Sequence, residues 1–251
     1  MKTFPHCLES AKHQSSECKQ IIVVDRFSQD GVASFAKANG ATVIQSNVNR
    51  SGARNIGLES ASSKGVLFVD ADMILPITLV EECERGLDTR EALIVPEESI
   101  GVGFWAECKA AERKLYIGDD TMEAARCFGR SSLLQLGGYD PQLEAGEDWD
   151  LHSRVVAHHL RVGRVRAIII HDEGQLSLSS ITRKKYLYGK SFAKYMRRNM
   201  KMGTRQVNPL RRIIVPSLKV LPSSPKLAAG VTIMKSLEFA SAGFGHLVGN
   251  L

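Results

Sequence analysis

Short apolar runs alternate with longer segments of helical periodicity over the first 170 residues. The apolar runs have strand length and cover residues 21–25, 41–45, 66–69, 92–95, 125–129 and 165–170. The helix-like segments cover residues 30–39, 51–62, a stretch opened by Pro76, 105–116 and 148–160, and Ser51 is the expected N-cap of the second. This alternation predicts an α/β fold with a mostly parallel, Rossmann-like sheet flanked by helices.

The pattern changes near residue 180. Residues 181–199 place Tyr188, Phe192 and Tyr195 at helical spacing among Lys and Arg side chains, which predicts a basic amphipathic helix. Prolines break the next stretch, and residues 227–251 predict a final apolar helix. We therefore predict an α/β domain over residues 1–180 and a basic helical C-terminal extension over residues 181–251.

The net charge of +6 is unevenly distributed along the chain. Residues 174–251 hold 14 Lys/Arg and a single acidic residue, Glu238, whereas residues 1–173 carry a net charge of −7. A cationic tail on an acidic body indicates an anionic partner: nucleic acid, a lipid surface or a substrate phosphate. Composition does not choose among these three.

Cysteine usage and hydropathy indicate the compartment. The five cysteines are scattered and lack CxxC spacing, which favours a reducing cytosol over a disulfide framework or a zinc site. No run approaches the roughly 20 apolar residues that cross a bilayer, and no leading segment resembles a signal peptide. We expect a cytoplasmic protein that attaches peripherally to the cytoplasmic membrane face. The alternative for the tail is that it packs on the body and closes an acceptor site.

Two carboxylates, Asp70 and Asp72, follow the apolar run at residues 66–69. Ligands of parallel sheets bind outside the carboxyl ends of the strands. Hard oxygen ligands at this spacing suit Mg²⁺ or Mn²⁺ that holds a diphosphate. An acidic turn after a strand is the alternative interpretation of the same residues.

Four carboxylate-bearing segments end or follow predicted strands in a specific order. They are VDRFSQDG from Val24, DAD from Asp70, GEDWDL from Gly146 and IHD from Ile170, with RSGARNIG at residues 50–57 and GGYD at residues 137–140 between them. In order and spacing, residues 7–200 resemble the inverting glycosyltransferases of family 2, which have the GT-A fold. Neither a QxxRW motif nor multiple spanning helices occur here, so the resemblance implies a non-processive member.

The resemblance implies a metal-dependent hexosyltransferase. Such an enzyme moves one sugar from a nucleotide-diphosphate sugar to a hydroxyl of a glycan or lipid-linked acceptor, as in polysaccharide biosynthesis. By resemblance, Asp72 ligates Mn²⁺ or Mg²⁺, and Asp70 contacts the ribose or the metal shell. Asp25 and Arg54 would line the nucleoside pocket. The plainer alternatives are a turn-forming Asp25 and an Arg54 that pairs with an acid on a helix surface.

The later motifs would supply the base and the groups around the leaving diphosphate. Asp148, next to Glu147, resembles the general base, although an N-cap role is the alternative. His171 would complete the metal shell unless it is structural. Arg183 and Lys184, followed by Lys185, would neutralise the diphosphate unless they form a solvated helix face.

Two aromatic residues and the N-terminal segment carry further expectations. Trp105 and Tyr139 are expected either to frame the acceptor pocket or to pack in the core. Family members usually open with an apolar strand that supports the nucleobase, but residues 4–11 here already resemble the first helix. Either the sequence starts downstream of this strand, or the strand is truly absent; without it we expect donor binding to be weak.

Two other functions compete with this interpretation. A metal-dependent nucleotidyltransferase also uses strand-end carboxylates, but its Gly-rich basic phosphate loop is not visible in the sequence. A nucleic-acid-binding protein would use the basic and aromatic residues 186–198 of the tail. We expect nucleic acid to be the less favoured partner.

Overall fold

The structure is a computed structural model that describes residues 2–249, the side chains of Ala193, Lys201 and Met202 excepted. The strands are β1 (Ile22–Asp25), β2 (Thr42–Gln45), β3 (Gly65–Leu67), β4 (Met73–Ile74), β5 (Ala92–Ile94), β6 (Glu97–Val102), β7 (Ala125–Gly129), β8 (Val162–Arg164) and β9 (Ile169–Gln175).

The helices of the first 160 residues are short. They are α1 (Phe4–Lys12), α2 (Val32–Ala38), α3 (Arg50–Ser60), α4 (Leu79–Leu87), α5 (Phe104–Lys114), α6 (Arg130–Gln135) and α7 (Glu147–Ala157). The C-terminal part is almost entirely helical, with α8 (Leu178–Arg198), α9 (Met200–Gln206), a π-helical turn (Leu210–Ile214), α10 (Val215–Val220) and α11 (Pro225–Gly249). Within residues 2–249, no helix combines the length and hydropathy that a membrane span requires.

Three local predictions are wrong. Asn49, not Ser51, caps α3, because its side chain accepts a hydrogen bond from Gly52 N (2.9 Å). The helix expected from Pro76 begins at Leu79. Of the strand expected over residues 165–170, residues 165–168 instead connect β8 to β9, and β9 begins at Ile169.

The sheets are mixed, where the sequence pattern predicts mostly parallel pairing. β1 pairs with β2 in parallel, from Ile22 opposite Thr42 to Asp25 opposite Gln45. A second sheet has the order β3–β7–β5–β8, in which β7 runs antiparallel to both neighbours and β5 is parallel to β8. The third sheet has the order β4–β9–β6. The predicted α/β class is nevertheless confirmed.

The chain forms two compact units. Unit 1 runs to Pro96 and takes in Ala124–Gln142 and Glu147–Ile170. Unit 2 contains Glu97–Glu123, Leu143–Gly146 and the chain from His171 onward. The predicted domain boundary at residue 180 remains a prediction, and this residue lies inside α8.

Unit 1 has a sheet that is buried on both faces. Successive residues of β5 alternate between two hydrophobic clusters, with Ala92 and Ile94 in one and Leu93 in the other. This is why the run is apolar without alternation. A separate cluster joins Phe4 and Leu8 of α1 to the β1–β2 pair.

The core of unit 2 lies where α5, α8 and α11 pack together. A Cβ atom added at Gly189 of α8 would meet the backbone of Ala242, and one added at Gly245 of α11 would meet the backbone of Tyr186. The two long helices therefore approach so closely that only glycine fits at these crossing points.

Candidate active site

The candidate site in unit 1 begins where β3 ends. Asp70 O accepts a hydrogen bond from Met73 N (3.1 Å), so residues 70–73 form a turn that contains Asp72. The side chains of Asp70 and Asp72 are both half-buried. The two predicted carboxylates thus follow a strand end.

One guanidinium joins Asp70 to the second acidic motif. Arg54 is buried on α3. Its Nη2 donates to Asp70 Oδ1 (2.9 Å), and its Nη1 donates to Asp148 Oδ1 (2.6 Å). Arg54 Nη1 also lies 3.4 Å from Glu147 Oε1. Residues from three separate motifs therefore meet at one side chain.

Two further arginines balance the charge of these carboxylates. Arg50 Nη2 lies 2.6 Å from Glu147 Oε1, and Arg126 Nη1, on β7, lies 3.5 Å from Asp70 Oδ2. The sequence analysis singled out neither arginine. Arg50 precedes Arg54 by one helical turn, a spacing that places both on the same helix face and could have revealed it.

Tyr139 forms the floor beneath Arg54. The Arg54 guanidinium lies 5.0 Å from the centre of the Tyr139 ring, and the Phe68 ring packs edge-on against the same ring at 5.1 Å. Tyr139 is almost fully buried, which agrees with the core-packing alternative rather than with an exposed acceptor pocket. Trp105 is half-buried in unit 2 and packs against Phe104.

Asn55 fixes the position of Tyr139. Its Nδ2 donates to Tyr139 O (2.8 Å), and its Oδ1 accepts from Tyr139 N (2.8 Å). Gly138 has a φ of 66°, and a Cβ atom there would meet the Asn55 amide. Two consecutive residues of α3 therefore have different contacts: Asn55 binds the backbone of Tyr139, and Arg54 binds the carboxylates. The sequence did not predict this role of Asn55.

Glu147 and Asp148 lie in the first turn of α7. Glu147 is the first residue of this helix, which places Asp148 inside the helix and not at its N-cap. The helix dipole favours negative charge at this end. Glu147 is buried, whereas the Asp148 side chain keeps 35% of its surface exposed. Asp148 is thus the member of the pair that solvent and a substrate can reach.

The charges at this site stabilise one another. Burial lowers the pKa of Arg54, but the negative charges of Asp148 and Asp70 outweigh it and raise that pKa. Burial raises the pKa of Asp70, but Arg126 and Arg54 hold it well below its ordinary range. Burial, followed by the charge of Asp148, raises the pKa of Glu147. Arg54 and Asp70 are therefore ionised at neutral pH.

Asp25 closes a turn at the end of β1. Its Oδ2 accepts from Gln45 Nε2 (3.0 Å), and its carboxylate accepts from Ser28 N (3.3 Å) and Ser28 Oγ. Burial raises the pKa of Asp25, but these hydrogen bonds outweigh burial and lower it. Asp25 is therefore buried and ionised, and its hydrogen bonds support the alternative interpretation that it forms a turn.

Phe27 stands beside Asp25 in a strained backbone conformation. Its φ is 53°, a region that bulky residues rarely adopt, and its side chain is 51% exposed. Such strain concentrates at functional sites. The sequence did not lead us to predict a role for Phe27. An aromatic residue within a polar segment could have indicated one.

His171 belongs to unit 2, where it meets Arg113 and Glu97. Arg113 Nη1 lies 3.2 Å from His171 Nδ1, and Glu97 Oε2 lies 3.7 Å from the same nitrogen. This structural contact stands beside the predicted metal-binding role, which remains a prediction.

Arg183 and Lys184 lie exposed near the start of α8 in unit 2. A capping box formed by Ser177 and Ser180 fixes this helix start. Lys184 Nζ lies 5.9 Å from the centre of the Tyr188 ring. The predicted contact of these two cations with a diphosphate remains a prediction.

The donor set suits a hard divalent cation. No group of three His, Cys, Asp or Glu side chains within residues 2–249 is arranged as a metal-binding cluster. Mg²⁺ is commonly held by one or two carboxylates together with substrate phosphates, so one half-buried strand-end carboxylate, Asp72, fits such an ion. Asp70 fits less well as a ligand, because its two oxygens already face Arg54 and Arg126.

The chain is similar in fold to known proteins. A family model described as glycosyl transferase family 2 matches residues 2–112. The mannosyltransferase PcManGT from Pyrobaculum calidifontis, solved in complex with GDP-Man and Mn²⁺, superposes with a TM-score of 0.66 at 16% identity. The superposition covers 98% of this chain and 83% of PcManGT. No curated protein matches in sequence.

A second solved structure is more distant. GalNAc-T7, with UDP, GalNAc and Mn²⁺, superposes with a TM-score of 0.54 at 14% identity, over 76% of this chain and 45% of GalNAc-T7. Asp25, Arg54, Asp70 and Asp72 lie inside the family match, whereas Asp148 lies beyond it. Residues 2–112 match the glycosyl transferase family 2 model, in agreement with the resemblance found in the sequence, and the predicted GT-A fold is confirmed.

Proposed function

We propose that this chain is a metal-dependent, inverting glycosyltransferase that moves one sugar from a nucleotide-diphosphate sugar to an acceptor hydroxyl. The observation that carries the proposal is the Arg54 guanidinium, which holds both Asp70 and Asp148. Arg54 thereby connects Asp70, which lies within the residues that match the family model, to the Glu147-Asp148 pair, which lies outside them. Both solved relatives contain Mn²⁺ and a nucleotide or nucleotide sugar, which supports the same donor class.

Asp148 is the proposed general base. It is half-exposed, and its Oδ1 accepts from Arg54, which fixes the direction of the carboxylate. As the acceptor oxygen bonds to the anomeric carbon and the bond to the diphosphate breaks on the opposite face, Asp148 takes the hydroxyl proton. This single displacement inverts the anomeric centre. Glu147 is buried against Arg50 and positions the start of α7.

Asp72 is the proposed ligand of Mn²⁺ or Mg²⁺. Bound there, the cation supplies Lewis-acid stabilisation of the charge that develops on the diphosphate. Asp70 orients the ribose or the metal shell while Arg54 and Arg126 keep it ionised. We also propose His171 as a ligand of the cation. The proposed contacts of the diphosphate are Arg183 and Lys184.

Asp25 is the proposed acceptor of a nucleoside hydrogen bond, with Phe27 as a stacking surface for the base. Arg54 was expected to line this pocket, and the contacts it makes support a positioning role for Asp70 and Asp148 instead. We also propose cytoplasmic activity at a membrane surface, where a lipid-linked saccharide or growing glycan would be the acceptor.

A thermal-shift panel of UDP-, GDP- and dTDP-sugars with and without Mn²⁺ tests the proposal. A ligand at about 100 times its dissociation constant adds about 2.7 kcal/mol of stability, which is several degrees in melting temperature. We expect one nucleotide class to stabilise the wild type and the exposed control Asp88→Ala, and the effect to require metal. Asp72→Ala should lose the metal-dependent part. Stabilisation that is equal in Asp72→Ala would remove Asp72 from the proposed role.

A further inference from the structure

The longest helix of unit 2 presents an apolar stripe to solvent. The stripe on α11 consists of Lys226, Ala229, Ile233, Leu237, Ala240, Phe244 and Leu247. These positions are three or four residues apart, so they share one helix face, which is about 30 Å long at 1.5 Å per residue. Its large apolar side chains are between 38% and 66% exposed.

The opposite face of α11 holds the helix in place. Val231 and Met234 are buried in the core of unit 2, and Gly230 packs against Phe104 and Cys108 of α5. Lys235 and Glu238 are buried beside them. This buried face anchors α11, and two residues of the stripe also contact neighbouring helices: Phe244 stacks on Tyr186 of α8, with ring centres 5.9 Å apart, and Lys226 Nζ lies 5.3 Å from the centre of the Phe104 ring.

A second apolar stripe lies on the neighbouring segment. Leu210, Ile214, Leu218 and Leu221 are all exposed in the π-helical turn, α10 and the residue after it. Pro216 and Val220 of α10 are buried, and Thr232 Oγ1 donates to Ser217 Oγ (2.8 Å), which joins α10 to α11. We call the exposed residues of these two stripes the α10–α11 face.

All exposed charges on this part of the chain are positive. Glu238 is the single acidic residue after position 173, and it is buried. Lys219 of α10 and Lys226 of α11 are exposed beside the apolar residues of this face. An apolar face that carries only cations matches a surface with hydrocarbon beneath anionic groups.

We propose that the α10–α11 face binds the surface of an anionic lipid bilayer. The inference deepens the membrane attachment in the proposed function by assigning the surface that makes it. Ile233, Leu237, Phe244 and Leu247 enter the boundary between headgroups and acyl chains, while Lys219 and Lys226 lie among the phosphates. Self-association through this face is less favourable, because a two-fold contact would bring its lysines together.

Flotation with lipid vesicles tests the assignment. The wild-type chain should bind vesicles that contain equal parts of phosphatidylglycerol and phosphatidylcholine, and should bind vesicles of phosphatidylcholine alone much less. High salt should weaken the binding, since salt screens the attraction between lysines and phosphates.

Two variants separate the apolar and the ionic contributions. Ile233→Ser/Leu237→Ser/Phe244→Ser should lower the partition coefficient by about tenfold or more, because three inserted apolar side chains are lost. Lys219→Glu/Lys226→Glu should lower binding to the anionic vesicles and remove its salt dependence. The matched control is Ile77→Ser/Val156→Ser, which alters exposed apolar residues of unit 1 and should bind like the wild type.

Three outcomes would overturn the inference: no binding of the wild type to anionic vesicles, equal binding by the triple serine variant, or a wild-type dimer in light scattering that this variant abolishes. The last would assign the face to a second copy. Melting curves by circular dichroism establish that each variant is folded. Nucleotide-dependent thermal shifts need no lipid, so they fail or succeed independently of vesicle binding.

Discussion

Each unit of the chain contains a buried ionic cluster, and the two clusters differ in what they leave exposed. In unit 1, two of the three carboxylates that Arg54 contacts have partly exposed side chains, 30% for Asp70 and 35% for Asp148. In unit 2, Glu112 and Glu238 are only 1% and 3% exposed. The first cluster offers charge to a ligand, and the second does not.

The unit 2 cluster has an excess of cations. Lys235 Nζ lies 2.5 Å from Glu238 Oε2 and 3.2 Å from Glu112 Oε1, and Lys109 Nζ lies 2.9 Å from Glu112 Oε2. Lys185 Nζ approaches Glu238 Oε2 at 3.8 Å. Burial raises the pKa of Glu238, but Lys109, Lys185 and Lys235 outweigh it and lower that pKa.

The comparison teaches how to separate a site from a structural ion cluster. Perturbed pKa values occur in both clusters, so they do not identify the site. Partial exposure of the carboxylates distinguishes the cluster in unit 1. We therefore expect substitutions in the Arg54 cluster to affect turnover and substitutions in the Glu112–Glu238 cluster to affect stability.

The largest effect should come from Asp148→Asn. This change keeps the shape of the side chain and removes its basicity, so we expect kcat to fall by about 10²–10⁴-fold. The donor KM should change little. Steady-state release of nucleoside diphosphate measures both, with Asp88→Asn as the control because Asp88 is exposed and outside the cluster. An unchanged kcat would assign the base elsewhere.

In unit 2, Glu238→Gln should reduce the free energy of unfolding by about 3 kcal/mol or more, since it removes one of the two buried carboxylates that balance the charge of the buried lysines. Denaturant unfolding measures the loss. Glu107→Gln is the matched control, because Glu107 is exposed on α5. Equal stability of the two variants would contradict a structural role for this cluster.

Arg54→Lys sharpens the comparison within unit 1. Lysine keeps the charge but cannot hold Asp70 and Asp148 with two nitrogens, so we expect a loss of about 1–3 kcal/mol in transition-state stabilisation. The loss should appear in kcat and be partly rescued by added guanidinium in Arg54→Ala. A loss confined to stability, with kcat unchanged, would make Arg54 a structural residue only.

The smallest effect concerns pH. Glu238 raises the pKa of Lys185, but burial and the charges of Lys109 and Lys235 outweigh it and lower the pKa of Lys185 from 10.5 to about 7. The unfolded state therefore binds more protons between these values, so stability rises with pH across that window. Lys185→Met should flatten this rise in pH-dependent unfolding. An unaltered pH slope would show that Lys185 does not titrate in this way.

Asp70 provides the acid counterpart in unit 1. Its lowered pKa means that it contributes stability above the ordinary carboxyl pKa, and this contribution is lost as the pH falls. The stability that Asp70 contributes through Arg54 should therefore decrease at acid pH. The effect of Lys185 should instead appear between pH 7 and 10.5.

The sequence predicted what local pattern determines. The apolar run at residues 125–129 is β7 at the same bounds, because this strand is buried against clusters on both faces. β6 was missed because Glu97 and Glu98 begin it, and such residues disfavour strands. The Glu97 charge is balanced by Arg113 of α5, a tertiary contact that no local pattern reveals.

The same limit applies to the candidate site. Asp70, Asp148 and Arg54 were named from motif order, but their shared contacts depend on how α3, β3 and α7 pack. Arg54 was alternatively expected to pair with an acid on a helix surface. It does pair with acids, but it is buried. The fold therefore adds the positioning role that motif order does not contain.

Metal-dependent release of nucleoside diphosphate from a panel of nucleotide sugars tests the central claim most directly. The account predicts release by the wild type and by Asp88→Asn in the presence of Mn²⁺, and loss of most of it in both Asp72→Asn and Asp148→Asn. Release at wild-type rates by these two site variants would contradict the claim that Asp72 and Asp148 belong to a glycosyltransferase active site.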